Sequence, residues 1–361
     1  MYLYVPLLCR YGAHLSREEA AALVAPHPET LELVHSWLAH HDVPSSSISA
    51  TLGGNWLTLT DVPVSQANKL LGASYQLYRH AGTNDTVILR TVGYALPTVL
   101  HAHVETVAPT TFFASTRTLQ QTPHFRPVGV AGALAKAAPR ELVRELSGRD
   151  GTVMVAPHYL RSLYRTYAYV PKAVSRNALG IVGFNDEFPN PTDLGLFMSL
   201  FRREAQAATF AVLPVNGGGF DLKRPGSEAN LNLQYTQAIA YPTPHIFYST
   251  GGALMWESSS GMPVQGDLFL GWVGYVISRL YIPQTIIISY GVFEKEVPEE
   301  YAHYVCKLFA LFGVRGVSVL FSSGDFGVGP GNCDDNSGNV QFVPRFPASC
   351  MCDLLYPLAK L

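Results

Sequence analysis

The chain has 361 residues, of which 48% are hydrophobic and only 14% charged, so it is rich in core-forming material and long enough for two domains. A formal net charge of −2 excludes the basic face that a nucleic acid or an anionic membrane surface needs. No apolar run reaches the ~20 residues of a membrane span; the nearest, Leu268 to Ile288, is broken by Arg279, Pro283 and Gln284.

The first ten residues, MYLYVPLLCR, lack a basic leader and their apolar run stops at Arg10, so they do not read as a signal peptide. Ser16-Arg17-Glu18-Glu19 is a capping box that predicts a helix over Ala20 to Val24. After Pro28, Leu31, Val34, Trp37 and Leu38 recur at helix spacing. Trp56 to Thr60 alternates like a strand, Gln66 to Leu71 returns to helix, and Thr86 to Val92 is a second strand. Residues 1–115 therefore predict a small α+β unit, one sheet with helices on one face. Asn84-Asp85-Thr86 fits a glycosylation sequon, whereas proline spoils Asn190-Pro191-Thr192.

Residues 116–156 mix Pro, Gly, Ala and scattered arginines and read as an exposed, protease-accessible connector. From residue 157 to 361 the grammar is α/β. Ala178 to Phe184 predicts a buried strand, and Phe210 to Val215, Thr285 to Ser289 and Val314 to Phe321 predict further strands; Pro191 to Glu204 and Pro298 to Phe312 predict helices. Near-continuous apolar strands joined by helices predict a parallel sheet covered on both faces, with any site beyond the carboxyl ends of its strands.

Two stretches fall at such positions. GSEANLNLQY opens at Gly226, with Ser227 as the predicted N-cap and Glu228 in the first helical turn, where free N–H groups and the helix dipole favour a carboxylate. Asn232 follows four residues on, the spacing that stacks two side chains on one helix face. FSSGDFG, from Phe321, delivers Asp325 between two glycines after a predicted central strand. Taken singly, both have plain structural explanations: acidic residues stabilise helix starts, and an Asp often caps its own turn.

Together these stretches resemble something specific. EANLNLQY, Ser289-Tyr290-Gly291, LFSSGDFGVG and FPASC at Phe346 to Cys350 resemble, in order, the motifs of the sedolisin family, serine-carboxyl peptidases with a subtilisin-like fold, with particular likeness to secreted fungal tripeptidyl peptidases. HLSREEAAALVAPHPETLELVHSWL and WLTLTDVPVSQANKLLGASYQLY resemble the pro-kumamolisin-like propeptide of that family, and YLRSLYRTYAYVP, from Tyr159, resembles the start of its mature enzyme. The resemblance implies a secreted, acid-acting enzyme that takes protein or peptide substrates, with its own propeptide as an intramolecular inhibitor. It assigns Glu228 as the base that deprotonates a serine and Asp325 as a donor to the oxyanion. Asn232 stands where the family has an aspartate, so one member of the acid pair is an amide. After Gly291 the family has acidic residues, and this chain has Val292-Phe293.

The family's nucleophile lies in a Gly-Thr-Ser motif beyond FPASC, followed by a calcium site; the chain contains no Gly-Thr-Ser, and after Cys350 it reads MCDLLYPLAKL. The expectation is an incomplete peptidase domain, inactive as written, that binds no cofactor itself and whose calcium site lies beyond the C-terminal end. The alternatives are a non-catalytic homologue acting as a propeptide-type binder or inhibitor, or a sequence cut short. His101 and His103, and His40-His41-Asp42, lack the ligand sets of a metal site. Gly327 to Gly331 lacks the ending of a phosphate loop, and Asp334 to Asn339 does not follow EF-hand order. Of five cysteines, Cys333 and Cys350 flank that last loop and could bridge it in an oxidising compartment.

Overall fold

The computed structural model describes residues 12–79, 87–113, 155–172, 174–184, 187–251, 253–257, 263–265, 268–324 and 342–351. The capping box forms as read. Ser16 Oγ accepts from the Glu19 N–H, Glu19 Oε2 accepts from the Ser16 N–H, and helix α1 runs Arg17–Leu23. Pro28 opens α2 (Pro28–His40), where a missing N–H costs nothing. Strands β1 (Ile48–Ala50) and β2 (Leu57–Leu59) pair antiparallel, and α3 (Val64–Leu71) ends on Gly72 in the left-handed region at φ 54°. Leu38, Val43, Leu70 and Leu71 bury together as the local core of this unit.

The expected single small sheet divides in two. Strands β3 (Gln76–Arg79) and β4 (Val87–Arg90) pair antiparallel, away from β1 and β2. The free edge of β4 is taken by a strand from much later in the chain, and its side chains Val87, Ile88 and Arg90 are buried. A strand covered this way belongs in the middle of a sheet, not at its margin.

The later part is wound as predicted. Helix α4 (Pro157–Leu163) leads into β5 (Leu179–Gly183), α5 (Pro191–Phe201), β6 (Phe210–Val215), α6 (Ser227–Ala240) and β7 (His245–Thr250). Then come β8 (Ala253–Glu257), β9 (Pro263–Gln265), α7 (Leu268–Ile277), β10 (Thr285–Ile288) and β11 (Val292–Phe293). Helix α8 (Glu299–Val314), β12 (Ser318–Phe321) and β13 (Arg345–Phe346) complete the described elements. The strand expected from Val314 starts only at Ser318, because α8 runs on to Val314 and Gly316, at φ 76°, turns the chain.

Five strands form one parallel sheet in the order β12-β10-β5-β7-β6. Successive residues on each strand serve opposite faces. Ile181 and Phe247 pack with Leu194, Met198, Ala229 and Leu233 of α5 and α6. Their neighbours Val182 and Tyr248 pack with Trp272, Val273 and Val276 of α7 and with Leu308 and Phe312 of α8. Gly183 leaves room for the Phe247 ring, onto which any added Cβ would fall. Each fully buried side chain of this size contributes roughly 1.5–3 kcal/mol.

The N-terminal unit docks on α7 and α8. Trp56 stacks on Tyr304 at 5.1 Å, Asn55 Nδ2 donates to the Tyr304 hydroxyl at 3.3 Å, and Arg17 donates to the Ser278 carbonyl at 3.2 Å. Strand β4 pairs parallel with β9, which pairs antiparallel with β8, so one four-stranded sheet is shared between the two parts. Phe112 is buried at the end of the unit against Tyr301, with ring centroids 4.8 Å apart. From there a run of ring contacts passes through Phe346, Phe269 and Phe184 to Tyr290.

The disulfide joins Cys306 of α8 to Cys350, not Cys333 to Cys350, and closes a sequence separation of 44 residues. Helix α8 lies against the segment after β13, which brings Cys306 within bonding reach of Cys350; Cys333 lies outside the described residues, as do the sequon at Asn84 and nearly all of the connector. Loop-closure entropy at that separation gives about 4 kcal/mol. Cys306→Ser is expected to lower the urea-unfolding free energy by about 3–4 kcal/mol, and reduction of the parent chain by the same amount.

His245 is buried at the start of β7 with Nδ1 on the Thr243 carbonyl at 2.8 Å, and burial holds its pKa below the usual 6.5. The unfolded chain therefore binds this proton at higher pH than the folded one, and stability falls as pH drops below ~6.5 towards the folded value. His245→Gln is expected to flatten the dependence of the urea midpoint on pH between 7 and 5; an unchanged slope would remove His245 as its source.

Candidate active site

The loop after β6 returns to the sheet where Phe188 accepts the Gly226 N–H at 3.0 Å. Gly226 is the N-cap of α6, and Ser227 is the first helical residue with no side-chain cap bond, which corrects the expected Ser227 cap. The close approach explains the choice. A Cβ at Gly226 would lie 2.7 Å from Glu187 Cδ, so only glycine fits against that carboxyl group. Glu228 keeps its place in the first turn, 8% exposed, near N–H groups that have no partner within the helix.

One turn on, Asn232 Nδ2 donates to Glu228 Oε1 at 3.1 Å, the stacking that the four-residue spacing predicts. Its other end is also occupied, because Ser289 Oγ donates to Asn232 Oδ1 at 3.0 Å. Ser289 directly follows β10. Strand β10 flanks β5 on the side opposite β7, so the winding direction of the sheet reverses between β5 and β10. Ligand sites of doubly wound sheets lie at such a reversal, outside the carboxyl ends of the strands.

Tyr290, the next residue, is almost fully buried. Its phenol is pushed far above the ordinary value of 10, first by burial and then by the negative charges of Glu228 and Glu187. Glu187 follows β5 and is a second acidic group of the site that sequence reading missed. The available signal was its position just past the carboxyl end of a predicted central strand, as for Asp325. Ser289 was noted only as part of a motif, and its bond to Asn232 crosses 57 residues. Tyr290 at neutral pH is an uncharged packing group whose ring touches Phe184 at 5.0 Å.

Asp325 lies outside the described residues, but the turn that leads to it begins beside the site: the Ser322 N–H donates to the Ile288 carbonyl at 3.2 Å, and Gly324 turns at φ 89°. The histidines noted above are engaged elsewhere, His101 with the Leu96 carbonyl and His103 with Thr30 Oγ1, both at 2.9 Å. Among the described residues no group of three or more His, Cys, Asp or Glu is placed to hold a metal ion. Among the same residues no helix is long and apolar enough to cross a membrane.

A glutamate buried at the reversal of a doubly wound sheet, in a chain whose N-terminal α+β unit docks on the helices of that sheet, defines an α/β protein of two parts. The family described as "Pro-kumamolisin, activation domain" matches residues 6–113. Over 353 residues the chain is 32% identical to the probable tripeptidyl-peptidase SED3 of Arthroderma benhamiae, covering 94% of this chain and 56% of that protein. It is 31% identical over 355 residues to the probable tripeptidyl-peptidase SED2 of Trichophyton verrucosum, covering 96% and 58%. The tripeptidyl-peptidase sed4 of Aspergillus fumigatus is 32% identical over 287 residues, 76% of this chain and 46% of that one. Among solved structures, Pseudomonas sedolisin in complex with pseudo-iodotyrostatin overlaps 54% of this chain and 51% of its own at 18% identity, with a TM-score of 0.38. The chain belongs to the sedolisin family, and it spans between about half and three-fifths of the length of these curated relatives.

Replacing Asn232 by leucine keeps the volume and removes the donor to Glu228. A hydrogen bond to a charged group is worth about 1.5–3 kcal/mol. Asn232→Leu is expected to lower stability by that amount at pH 7, and the loss should shrink in acid, once Glu228 is protonated, to that of a neutral hydrogen bond, about 0.5–1.5 kcal/mol. Urea unfolding at pH 7 and pH 4 reads both values, and a loss equal at the two pH values would contradict the charge-based account.

Proposed function

We propose that the chain is precursor material of an acid-acting serine-carboxyl peptidase that removes tripeptides from protein N-termini. The observation that carries this reading is Glu228, a buried carboxylate in the first turn of α6 with an amide donor at 3.1 Å, at the reversal of the sheet. A carboxylate stabilised by hydrogen bonds remains a base in acid, where histidine would be protonated. In the proposed reaction Glu228 takes the proton of a serine hydroxyl as that oxygen attacks the scissile carbonyl, and Asp325, protonated, donates a hydrogen bond to the oxyanion. The proton then passes from Glu228 to the leaving amine. Water, deprotonated in the same way, releases the acyl group.

The serine is not among these 361 residues, which hold no Gly-Thr-Ser, and no step uses a metal ion. This polypeptide by itself is proposed to be inactive. Residues 1–115 are proposed as the propeptide, 116–156 as the segment cut on activation, and 157–361 as part of the peptidase domain. Autoinhibition by the N-terminal unit is supported by its activation-domain match and by its docking on α8. Secretion is supported by the Cys306–Cys350 disulfide, which persists in oxidising compartments. A second reading, in which the chain occludes the cleft of a complete relative, is supported by the activation-domain match of its N-terminal unit.

A chimera tests the proposal. The chain through Cys350 is joined to the C-terminal portion of the Arthroderma benhamiae relative and incubated in acid with N-terminally free peptides. Release of tripeptides is expected, and Glu228→Gln should reduce it by about 10³-fold or more. The 361-residue chain alone should release none. A Gln variant as active as its parent would sink the role of Glu228, and inhibition of the intact relative by the unfused chain would establish the second reading.

A further inference from the structure

The Asn232 amide is held at both ends, by a carboxyl group on its own helix and by a serine from a different strand. A carboxylate can only accept hydrogen bonds, a carboxamide has one accepting and one donating end, and a hydroxyl does either. Facing ionised Glu228, the amide must present Nδ2, so its Oδ1 faces Ser289 and the hydroxyl must donate. Both contacts have this sense, Nδ2 to Glu228 Oε1 at 3.1 Å and Ser289 Oγ to Oδ1 at 3.0 Å.

We propose that Ser289 is a positioning residue that fixes the direction of the Glu228–Asn232–Ser289 chain, and that the amide reverses when Glu228 takes up a proton. A protonated carboxyl group donates, which suits Oδ1. Rotation of the amide by half a turn presents Oδ1 to Glu228 and Nδ2 to Ser289 Oγ. The serine then accepts, and its own hydrogen is released towards the end of β10. No bond is made or broken beyond the proton that Glu228 gains. One protonation is thereby converted into the direction of a hydroxyl one residue past the strand, next to the turn that starts at Ser322.

An ionised aspartate at position 232 could not do this, because two equivalent oxygens that only accept have no direction to reverse. The inference therefore belongs to the amide that distinguishes this chain from the family pattern. Among the described residues, the acidic groups facing the site from the neighbouring elements are Glu187, after β5, and Tyr290, after β10. The donor on Asn232 favours the ionised form of Glu228. Loss of the Ser289 hydroxyl removes the clamp on Oδ1, so the amide no longer holds its donor on Glu228 and the carboxyl group becomes easier to protonate.

The inference deepens the role proposed for Glu228, yet its test needs no turnover and so can fail or succeed apart from that role. In the full chain, side-chain ¹⁵N signals of asparagine and ¹³C signals of glutamate carboxyl groups are followed against pH. Asn232 is assigned by its loss in Asn232→Asp, and Glu228 by its loss in Glu228→Gln. The Asn232 carboxamide signal is expected to move with the same midpoint as the Glu228 carboxyl. Ser289→Ala should raise that midpoint by ~0.5 pH unit, about a threefold gain in proton affinity, and Ser289→Thr, which keeps the hydroxyl, should restore it. An Asn232 signal that does not follow Glu228 in the parent chain overturns the reversal, whether or not Ser289→Ala folds. A Glu228 midpoint unchanged in a folded Ser289→Ala variant overturns the positioning role.

Discussion

A carboxylate kept out of water has to be given donors by the fold, and much of this structure is arranged around that demand at Glu228. Glu228 sits in the first turn of α6, Asn232 supplies an amide N–H, and Gly226 lets the helix start close against Glu187. None of this is local to one stretch. Helix α6 can bring its first turn to the sheet edge only because Ala229 and Leu233, on the adjoining face, bury against Ile181 and Phe247. The apolar packing sets the height of the helix, and the height sets which carboxyl group stands at the reversal between β5 and β10. Packing free energy is spent here on placing a charge that would otherwise favour water.

Helix α8 has the opposite task, to be apolar on more than one side. Val305, Phe309 and Phe312 face the sheet core, Tyr304 stacks with Trp56 of the N-terminal unit, and Cys306 binds Cys350. A helix that buries several faces sits between layers. Through Tyr301 it also carries the aromatic contacts that run from Phe112 to Tyr290, so the docked N-terminal unit and the Glu228 site share one continuous core.

Much of the fold was legible because its signals are local. The Ser16–Glu19 box, the proline that opens α2, and the apolar strands at Leu179 to Gly183 and Phe210 to Val215 follow from spacing within ten residues. Glu228 and Asn232 were legible for the same reason, as an i, i+4 pair on a helix. What escaped depends on distance along the chain. Glu187 has no pattern of its own and reaches the site because β5 ends there, and Ser289 bonds a residue 57 positions away. The partner of Cys350 followed from how α8 lies against the segment after β13, not from proximity in sequence to Cys333. Pairing of β4 with β9 joins two parts that each look self-sufficient when read alone.

That last pairing separates two kinds of recognition at one seam. Main-chain hydrogen bonds between Val87–Ile88 and Val264–Gln265 read only backbone, and they tolerate almost any side chain that suits a strand. The stacked Trp56 and Tyr304 read shape, and a change on one side demands an answering change on the other. Divergence among relatives can therefore erode the strand seam freely while the ring pair must drift in concert. An N-terminal unit borrowed from a distant cousin would still find its edge but would miss its aromatic seat.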